Sequence, residues 1–364
     1  MGHVLLWHLD GRLPNLALMR IAAHHRALGD TVELRRGSPS RLLWDRPTQV
    51  YGSLLFTRSR PLGEQLRALY PDAILGGTGW EVTVTLGQVG IPETGPLDYS
   101  MYPGYPHSVG FTQRGCRLHC PFCVVPRKEG RVQPVATIAE LWRGAPWPRH
   151  ILLLDNDVLG QPDWAQRLEE MRTGQFRVCF TQGINVRLLT EEAAQALASV
   201  YFMDDQFRRR RLYTAWDNRR DEARLFAGLE RLVRYGVPPD AIMVYMLIGY
   251  WPGETEADWL YRQEQLRAFG ARPYPMPYVR TPATVGFQRW CVGAYDKRIP
   301  WAQWQAAGYR PERVQMRQED ARDSDQTVLS LWHQAHAGQQ ECLVVPTAKE
   351  TLGGVAGEED ADGT

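Results

Sequence analysis

The sequence predicts an α/β protein: a partial (β/α)6 barrel preceded by a small parallel α/β domain and followed by a helical C-terminal cap. Apolar stretches of strand length alternate with stretches of helical periodicity, in two series separated by a loop rich in Pro, Gly and Tyr. The 364 residues exceed what one hydrophobic core usually serves, and 44% apolar content suffices for several. The predicted units are residues 1–103, 104–283 and 284–346, with a disordered acidic tail over 347–364.

Overall charge does not direct the chain to one class of partner. The 42 Lys and Arg residues balance 41 Asp and Glu, so only a local patch would attract nucleic acid. The N-terminus has no basic leader and no run approaches a membrane span, so neither a signal peptide nor a membrane partner is predicted. Six cysteines, three of them clustered, are typical of metal binding in a reducing compartment, which predicts a cytoplasmic protein.

The first series predicts a small parallel sheet over about residues 1–100. Its strands are HVLLWHLD, TVEL, QVYGSLLFT and AILGGTGW, and its helices are NLALMRIAAHHRALG and PLGEQLRALYPD. Asn15 is placed to cap the first helix and Gly29 to end it. The glycine-rich turn GGTGW leaves two interpretations open, a tight turn or a close approach to a nucleotide-like group.

The second series begins at Ser108 and predicts six longer βα units. The strands are SVGFT, HILLLD, FRVCFTQG, RLYTAWD, IMVYMLIGY and RPYPMPY. The helices are TIAELWR, DWAQRLEEMR, EEAAQALASV, EARLFAGLERLVRYG and TEADWLYRQEQLRAFG. Right-handed crossovers between consecutive parallel strands coil such a sheet in one direction, and its chemistry is expected at the C-terminal strand ends. Beyond Thr281 the predicted helical cap is rich in tryptophan, with Trp290, Trp301, Trp304 and Trp332.

The stretch GFTQRGCRLHCPFCVVPRKEG follows the first barrel strand and holds Cys116, Cys120 and Cys123 with the spacing C-x3-C-x2-C. Thiolates suit zinc or an iron–sulfur cluster, and a closed structural zinc site needs four ligands. A cubane held by three cysteines leaves one iron open, where a substrate or cofactor can bind. The zinc alternative would need a fourth ligand from His119, Cys179, Cys291 or Cys342.

This spacing, with Phe122 before the last cysteine and five further βα units after it, resembles the signature of the radical S-adenosylmethionine (SAM) superfamily over about residues 108–278. The resemblance implies that the three cysteines hold a 4Fe-4S cluster whose open iron chelates the amino and carboxylate groups of SAM. It implies reductive cleavage of SAM to a 5′-deoxyadenosyl radical, with electrons from a donor such as flavodoxin or ferredoxin. Gly115 would let the loop turn sharply, and Phe122 would lie beside the adenine or serve as a core anchor.

Polar residues follow the second and third strands of the predicted barrel. LLLDND places Asp155, Asn156 and Asp157 at the top rim, where the resemblance implies contact with the amino group of SAM. A helix cap is the alternative for this segment. FTQGINVRLL places Gln182 and Asn185 at the third strand end, and we expect both to bind the cofactor. A loop that satisfies its own backbone is the alternative there.

Substrate contacts are expected from the third and fourth strand ends. Arg187 follows the third strand, and Asp217, Arg219 and Arg220 follow the fourth on the same predicted face. Gly249, at the tip of the fifth strand, would allow the backbone to approach a ring, and the resemblance implies that this ring is the adenine.

The predicted N-terminal unit, residues 1–103, helps to indicate which kind of radical SAM reaction the protein performs. A front α/β domain followed by LDYSMYP and the cysteine stretch is similar to radical SAM proteins with an N-terminal cobalamin-binding domain. The D-x-H-x-x-G motif that ligates cobalt is absent and roughly 100 residues is short, so we expect a truncated Rossmann-like domain without cobalamin. The stretches PNLALM, GGTG, FTQG, AWDN and RW are similar to those of a group of bacterial and phage proteins, and this resemblance supplies no substrate.

The sequence thus predicts a radical SAM enzyme that abstracts hydrogen from an unidentified substrate. One alternative is a cobalamin-dependent radical SAM methyltransferase. Another is an enzyme similar to the tRNA methylthiotransferases, which share a front α/β domain but normally carry three more cysteines there, whereas no cysteine precedes Cys116 here. An alternative of a different class is a non-catalytic metal-binding or RNA-binding module.

Overall fold

A computed structural model describes residues 1–41, 44 and 46–310 of the chain. The predictions for Trp332, Cys342 and the tail of residues 347–364 lie outside the described residues. Within the described part, no helix combines the length and the apolar character needed to cross a bilayer.

The first series forms one sheet of four parallel strands, as predicted. The order of these strands in the sheet is β2-β1-β3-β4. The strands are β1 (His3–His8), β2 (Thr31–Arg36), β3 (Gln49–Ser53) and β4 (Ile74–Gly76). The helices of this part are α1 (Leu16–Ala27) and α2 (Arg60–Leu69). The Asn15 side chain caps α1 by accepting a hydrogen bond from the Leu18 N–H at 3.1 Å. Gly29 follows α1 with a φ of 84°, so both predicted ends of this helix are confirmed.

The glycine-rich turn after β4 packs against the end of β3. A Cβ on Gly77, which has a φ of 102°, would lie 2.1 Å from the Leu54 carbonyl oxygen. A Cβ on Gly79 would lie 2.4 Å from the carbonyl carbon of Phe56. Both glycines are therefore required by close approach of two segments of the protein's own backbone, in agreement with the tight-turn interpretation.

The second series contains all six predicted strands and three shorter ones. Its strands are β5 (Ser108–Gly110), β6 (Gln113–Arg114), β7 (Gln133–Pro134), β8 (His150–Leu153), β9 (Arg177–Phe180), β10 (Tyr201–Phe202), β11 (Leu212–Ala215), β12 (Ile242–Ile248) and β13 (Arg272–Pro277). The parallel strands lie in two sheets, with the orders β10-β9-β8-β5 and β11-β12-β13, where the sequence predicted one. Ile184 bridges the break: its N–H donates to the Tyr213 carbonyl and its carbonyl accepts from the Thr214 hydroxyl, both at 2.8 Å.

Helices follow the strands of the second series as the periodicity predicts. They are α3 (Val125–Lys128), α4 (Ile138–Leu141), α5 (Trp164–Thr173), α6 (Glu191–Ala198), α7 (Glu222–Arg234), α8 (Glu256–Phe269), α9 (Pro282–Val292) and α10 (Trp301–Ala306). The first predicted helix, TIAELWR, is reduced to α4, because the backbone of Trp142 is already extended. The chain after residue 281 is helical as far as it is described, and Trp290, Trp301 and Trp304 are buried in it.

Alternate residues of the parallel strands enter two different cores. One face contributes to the large cluster that includes the surrounding helices. The opposite face gives an interior cluster to which each of six strands supplies a buried residue: Val109, Leu152, Cys179, Tyr213, Tyr245 and Tyr274. Because strands of both sheets supply this cluster, the two sheets enclose a common interior.

Asp205, in the loop between β10 and β11, is a half-buried residue beside this interior, and its Oδ2 atom is buried. Its charge contributes to raising the pKa of Tyr105, Cys179 and Tyr213. Burial, with a smaller effect of the Asp204 charge, raises the pKa of Asp205 to about 7. The Asp205 Oδ2 atom has no hydrogen-bond partner among the described residues. The ionised form of this side chain therefore destabilises the fold.

We expect Asp205→Asn to raise the free energy of unfolding by roughly 2 to 4 kcal/mol at pH 8 and to change it little at pH 4. The folded protein holds the Asp205 proton more tightly than an unfolded chain, whose carboxyl has the usual pKa of 3.8. The parent protein thus loses stability as the pH rises from about 4 to 7, whereas the amide stays neutral. Urea unfolding at both pH values measures this, with Asp72→Asn at an exposed turn as control. An equal gain at both pH values would contradict it.

Candidate functional site

A short antiparallel ribbon frames the three clustered cysteines. Strands β6 and β7 pair Gln113 with Pro134 and Arg114 with Gln133. The residues between these strands, 115–132, are called the cysteine loop below. Its three cysteines, Cys116, Cys120 and Cys123, are half-buried, and none of them forms a disulfide. The loop follows the carboxyl end of β5, where parallel α/β proteins usually position reactive groups.

Gly115 sets the entrance of the cysteine loop. Its φ is 78°, and an added Cβ would lie 2.2 Å from the Arg131 carbonyl oxygen. The next residue, Cys116, donates its N–H to the Gly130 carbonyl at 3.4 Å. The two ends of the loop therefore approach so closely that only glycine fits at position 115.

Backbone N–H groups of the loop point at two of the sulfur atoms. The Leu118 N–H lies 3.4 Å from Cys116 Sγ, and the Val125 N–H lies 3.5 Å from Cys123 Sγ. Such donors favour a thiolate over a thiol. Burial nevertheless raises the pKa of Cys116, and burial together with the Asp217 charge raises the pKa of Cys120 to about 11. In the structure as it stands, these two thiols are protonated at neutral pH.

The polar segment after β8 holds the chain that leads into the loop. Asp155 accepts hydrogen bonds from the Thr112 N–H at 2.7 Å, from the Thr112 hydroxyl and from the Gln113 N–H at 3.3 Å. Burial raises the pKa of Asp155 to about 7. Both Asp155 carboxylate oxygens therefore accept hydrogen bonds from the protein itself. The sequence had predicted that they would contact the amino group of SAM.

Asn156 and Glu129 connect this segment to the loop. Asn156 Nδ2 donates to the Gly115 carbonyl at 3.2 Å and to Glu129 Oε2 at 2.9 Å. Glu129 also accepts from the Gly115 N–H at 3.0 Å and forms an ion pair with Arg114. Glu129 was not singled out from the sequence, because its role depends on the pairing of β6 with β7. Asn156 is thus placed to position the cysteine loop.

Asp157 and Asn185 link the loop to the end of β9. Asp157, which is 1% exposed, accepts from Arg117 Nε at 2.7 Å and from the Asn185 N–H at 3.4 Å. The Asn185 side chain accepts from Arg187 Nε at 3.2 Å. Its Nδ2 atom is buried and has no hydrogen-bond partner among the described residues. This donor is therefore an unsatisfied polar group in the described part of the chain.

Arg187 and Asp217 lie close to Cys120. The Asp217 charge contributes to raising the pKa of Cys120, and the Arg187 charge opposes it. Burial raises the pKa of Asp217 itself to about 6, against the charges of Arg187 and Arg262. Arg187 also forms an ion pair with Asp221 at 2.5 Å. The structure thus brings together the predicted residues at the ends of β9 and β11 with the cysteine loop.

Aromatic rings cover one side of the cysteine loop. The Phe122 ring contacts the rings of Tyr250 and Trp251, with centroid distances of 5.4 Å and 6.4 Å. Trp251 Nε1 donates to the Asp217 carbonyl at 2.6 Å, and the Arg220 guanidinium lies 5.7 Å from the Trp251 ring centroid. Tyr250 and Trp251 were not singled out from the sequence, although two adjacent aromatic residues after a strand-tip glycine are a visible signal.

Three further residues that were predicted to contact the cofactor or substrate differ in their exposure and in their hydrogen-bond partners. Gly249 has a φ of 74°, and its N–H donates to Glu254 Oε2 at 2.7 Å. Gln182 is half-buried in the turn after β9. Arg219 is exposed and forms an ion pair with Asp258 of α8 at 3.1 Å. Gly249 and Gln182 therefore remain at strand ends, whereas Arg219 is engaged with a helix.

The donors of the cysteine loop are of the types that bind an iron–sulfur cluster. Three soft thiols, two N–H···S contacts and the unsatisfied Asn185 Nδ2 match the chemistry of a cluster with a polar ligand beside it. Across residues 1–41, 44 and 46–310, no three or more His, Cys, Asp or Glu side chains are gathered into a metal-binding group. The residue types therefore fit an iron–sulfur cluster. In the described residues, however, the three cysteines are not arranged as a metal-binding group.

The candidates for a fourth protein ligand have other surroundings. Cys179 is fully buried in the interior cluster, and Cys291 is 2% exposed in the helix-side core. His119 is exposed within the cysteine loop. Cys342 lies beyond the last described residue. The two buried thiols act as small apolar side chains.

A hydrogen bond connects the turn after the N-terminal sheet with the cysteine loop. Lys128, in α3, donates from Nζ to the Thr78 hydroxyl at 2.8 Å. Thr78 belongs to the glycine-rich turn at the carboxyl end of β4. The carboxyl edge of the N-terminal sheet therefore faces the same site. No protein-family model matches this chain, and no curated protein matches it.

Proposed function

We propose that this chain is a radical SAM enzyme, in which Cys116, Cys120 and Cys123 hold a 4Fe-4S cluster. The observation that carries the proposal is the set of three half-buried cysteines, none in a disulfide, on one loop at the carboxyl end of the first strand of the parallel region. When bound, the cluster would supply an electron that cleaves SAM to methionine and a 5′-deoxyadenosyl radical, which abstracts hydrogen from a substrate.

The protein's own residues have distinct roles in this proposal. Asp155, Asn156 and Glu129 fix the entry and exit of the cysteine loop through the hydrogen bonds described above. Asn185 Nδ2 is a buried donor for a carboxylate or hydroxyl oxygen of the cofactor. Positioned donors of this kind orient a cofactor without moving during the reaction.

Other residues shape the space around the loop. Phe122, Tyr250 and Trp251 form an apolar wall that would exclude water from a reactive intermediate. Arg187, Asp217 and Arg220 provide charges that would recognise a polar substrate. Because the site does not identify a substrate, the proposal extends to the reaction class and not to a named product.

The proposal is tested by anaerobic reconstitution of the full chain with iron and sulfide, followed by dithionite and SAM. We expect formation of 5′-deoxyadenosine that requires protein, SAM and reductant together. A protein with an intact cluster that forms none would refute the reaction. Stoichiometric zinc without iron, in protein purified anaerobically, would instead favour the non-catalytic metal-binding alternative.

We expect Gly115→Ala to lower the bound iron several-fold, because its Cβ would displace the Arg131 carbonyl and open the loop entrance. The matched control is Gly130→Ala in the same loop. Gly130 also has a positive φ, 72°, but nothing lies within 4 Å of its added Cβ. The control should cost only the backbone strain of about 1 to 2 kcal/mol and retain iron. Equal iron content in the two variants would contradict the steric argument.

A further inference from the structure

A cavity of about 410 Å³ lies along α9, outside the site described above. Its walls come from the first turns of α9 and from the last described residues, 308–310. It begins at Arg280, three residues after the end of β13. Tyr278, two residues before Arg280, contacts the Tyr250 ring with a centroid distance of 4.7 Å. Tyr250 also contacts Phe122, so a chain of ring contacts leads from the segment before Arg280 to the cysteine loop.

The charged residues that line this cavity are all basic. Three of its lining residues are Arg280, Arg289 and Arg310, and none of its described lining residues is acidic. Burial lowers the pKa of Arg280, and the nearby charges of Arg58 and Arg289 lower it further. Arg58 follows β3 of the N-terminal sheet, so its charge adds to those of the lining residues without lining the cavity itself. Arg289 is half-buried, whereas Arg280 and Arg310 are exposed. Like charges held close together favour binding of an anion.

Arg289 carries an unused donor at this place. Its Nε atom is buried and has no hydrogen-bond partner among the described residues. A buried donor without an acceptor is unfavourable, and a ligand oxygen would relieve that cost. Guanidinium groups match the oxygens of carboxylates and phosphates, and a phosphate group offers more oxygens than a carboxylate to several guanidinium groups at once.

We propose that this cavity binds the phosphate group of a phosphoester through Arg280 and Arg289. Its size leaves room for the organic part of the ester next to the phosphate. The binding of the ester does not depend on the proposed function. The further statement that this ester is the substrate does rest on the proposed function. The phosphate can come from a mononucleotide or from a single-stranded nucleic acid, which share this chemistry.

The test is isothermal titration of the full chain, without SAM or reductant, with uridine monophosphate, uridine, inorganic phosphate and a single-stranded oligouridylate. Uridine derivatives avoid competition for a site that would take adenosine. We expect a phosphorylated ligand to bind, uridine not to bind, and Arg289→Gln to weaken binding about tenfold or more. The control Arg224→Gln, on the exposed face of α7, should bind as the parent does.

Each arm of this experiment has a defined meaning. Binding of the monophosphate identifies a mononucleotide source, and binding of the oligonucleotide alone identifies a nucleic acid backbone. If Arg289→Gln fails to fold, Arg289→Lys keeps the charge without the Nε donor and should bind the same ligand more weakly than the parent. No binding of either ester, or equal binding by parent and variant, overturns the inference. If the protein binds the ester but does not cleave SAM, the inference of a phosphate site stands and the proposed function is refuted.

Discussion

Cys120→Ala is expected to lower the formation of 5′-deoxyadenosine by about a thousandfold or more and to remove most of the iron. Three thiols are the minimum that the proposed cluster requires, and the alanine side chain offers no donor. The same result is expected for Cys116→Ala and Cys123→Ala, because the three ligands act as one unit. Iron analysis and product assays on anaerobically reconstituted protein measure both effects.

The matched control is Cys179→Ala. Cys179 is fully buried in the interior cluster, so its truncation should cost stability and leave iron binding intact. Loss of iron in this variant, with the fold preserved, would place a ligand outside the cysteine loop. A Cys120→Ala protein with a full cluster and normal turnover would disprove the assignment of the three ligands.

Arg262→Met is expected to lower the free energy of unfolding by about 3 to 5 kcal/mol. Arg262 is 1% exposed and donates to the carbonyls of Trp216 and Leu247, each at 2.9 Å, and to Glu254 at 2.5 Å. Its removal leaves a buried carboxylate without a counter-charge and two carbonyls without a donor. Glu254 also accepts from the Gly249 N–H, so the tip of β12 should loosen as well.

Two further variants separate charge from packing in this prediction. Arg219→Met removes an exposed ion pair with Asp258 and should cost less than about 1 kcal/mol. The double variant Arg262→Met with Glu254→Gln removes the uncompensated charge and should recover part of the loss. Denaturant unfolding of the three proteins measures the differences. Equal stability of the Arg262 and Arg219 variants would contradict the role of the buried ion pair.

Local patterns predicted most of the secondary structure. Alternation of apolar strands and amphipathic helices identified the four strands of the N-terminal sheet and six of the seven parallel strands that follow. Asn15 and Gly29 identified the ends of α1, because capping depends on residues a few positions apart. Strand β10 has only two residues, too few to show a period, so it was missed. The break between the two sheets was not predicted, because the pairing of strands depends on contacts that no local pattern encodes.

The candidate site was predicted only in part. The cysteine spacing and the polar strand ends are visible in the sequence, and the structure brings Arg187, Asp217 and Asn185 close to the loop. The partners of Asp155 and Asn156 lie 27 to 43 residues away in sequence, and no local pattern encodes such hydrogen bonds. For this reason residues expected to contact a cofactor proved to be engaged in holding the cysteine loop.

Under the proposed function, a bound cofactor would complete the site. The Asn185 Nδ2 atom is a buried donor without an acceptor in the described part of the chain, and such a donor is rarely left unsatisfied in a folded protein. Cys120, beside Arg187 and Asp217, would have to lose its proton to bind iron. Both features agree with a site whose ligand set is finished by groups that the chain does not itself supply.

Electron paramagnetic resonance of the reduced, reconstituted protein tests the central claim most directly, namely that one iron is left open for SAM. The spectrum should change when SAM is added, and SAM labelled with ¹⁵N at its amino group should introduce a nitrogen coupling into the double-resonance spectrum. An identical spectrum with and without SAM, together with a coupling from a fourth protein side chain, would contradict the account.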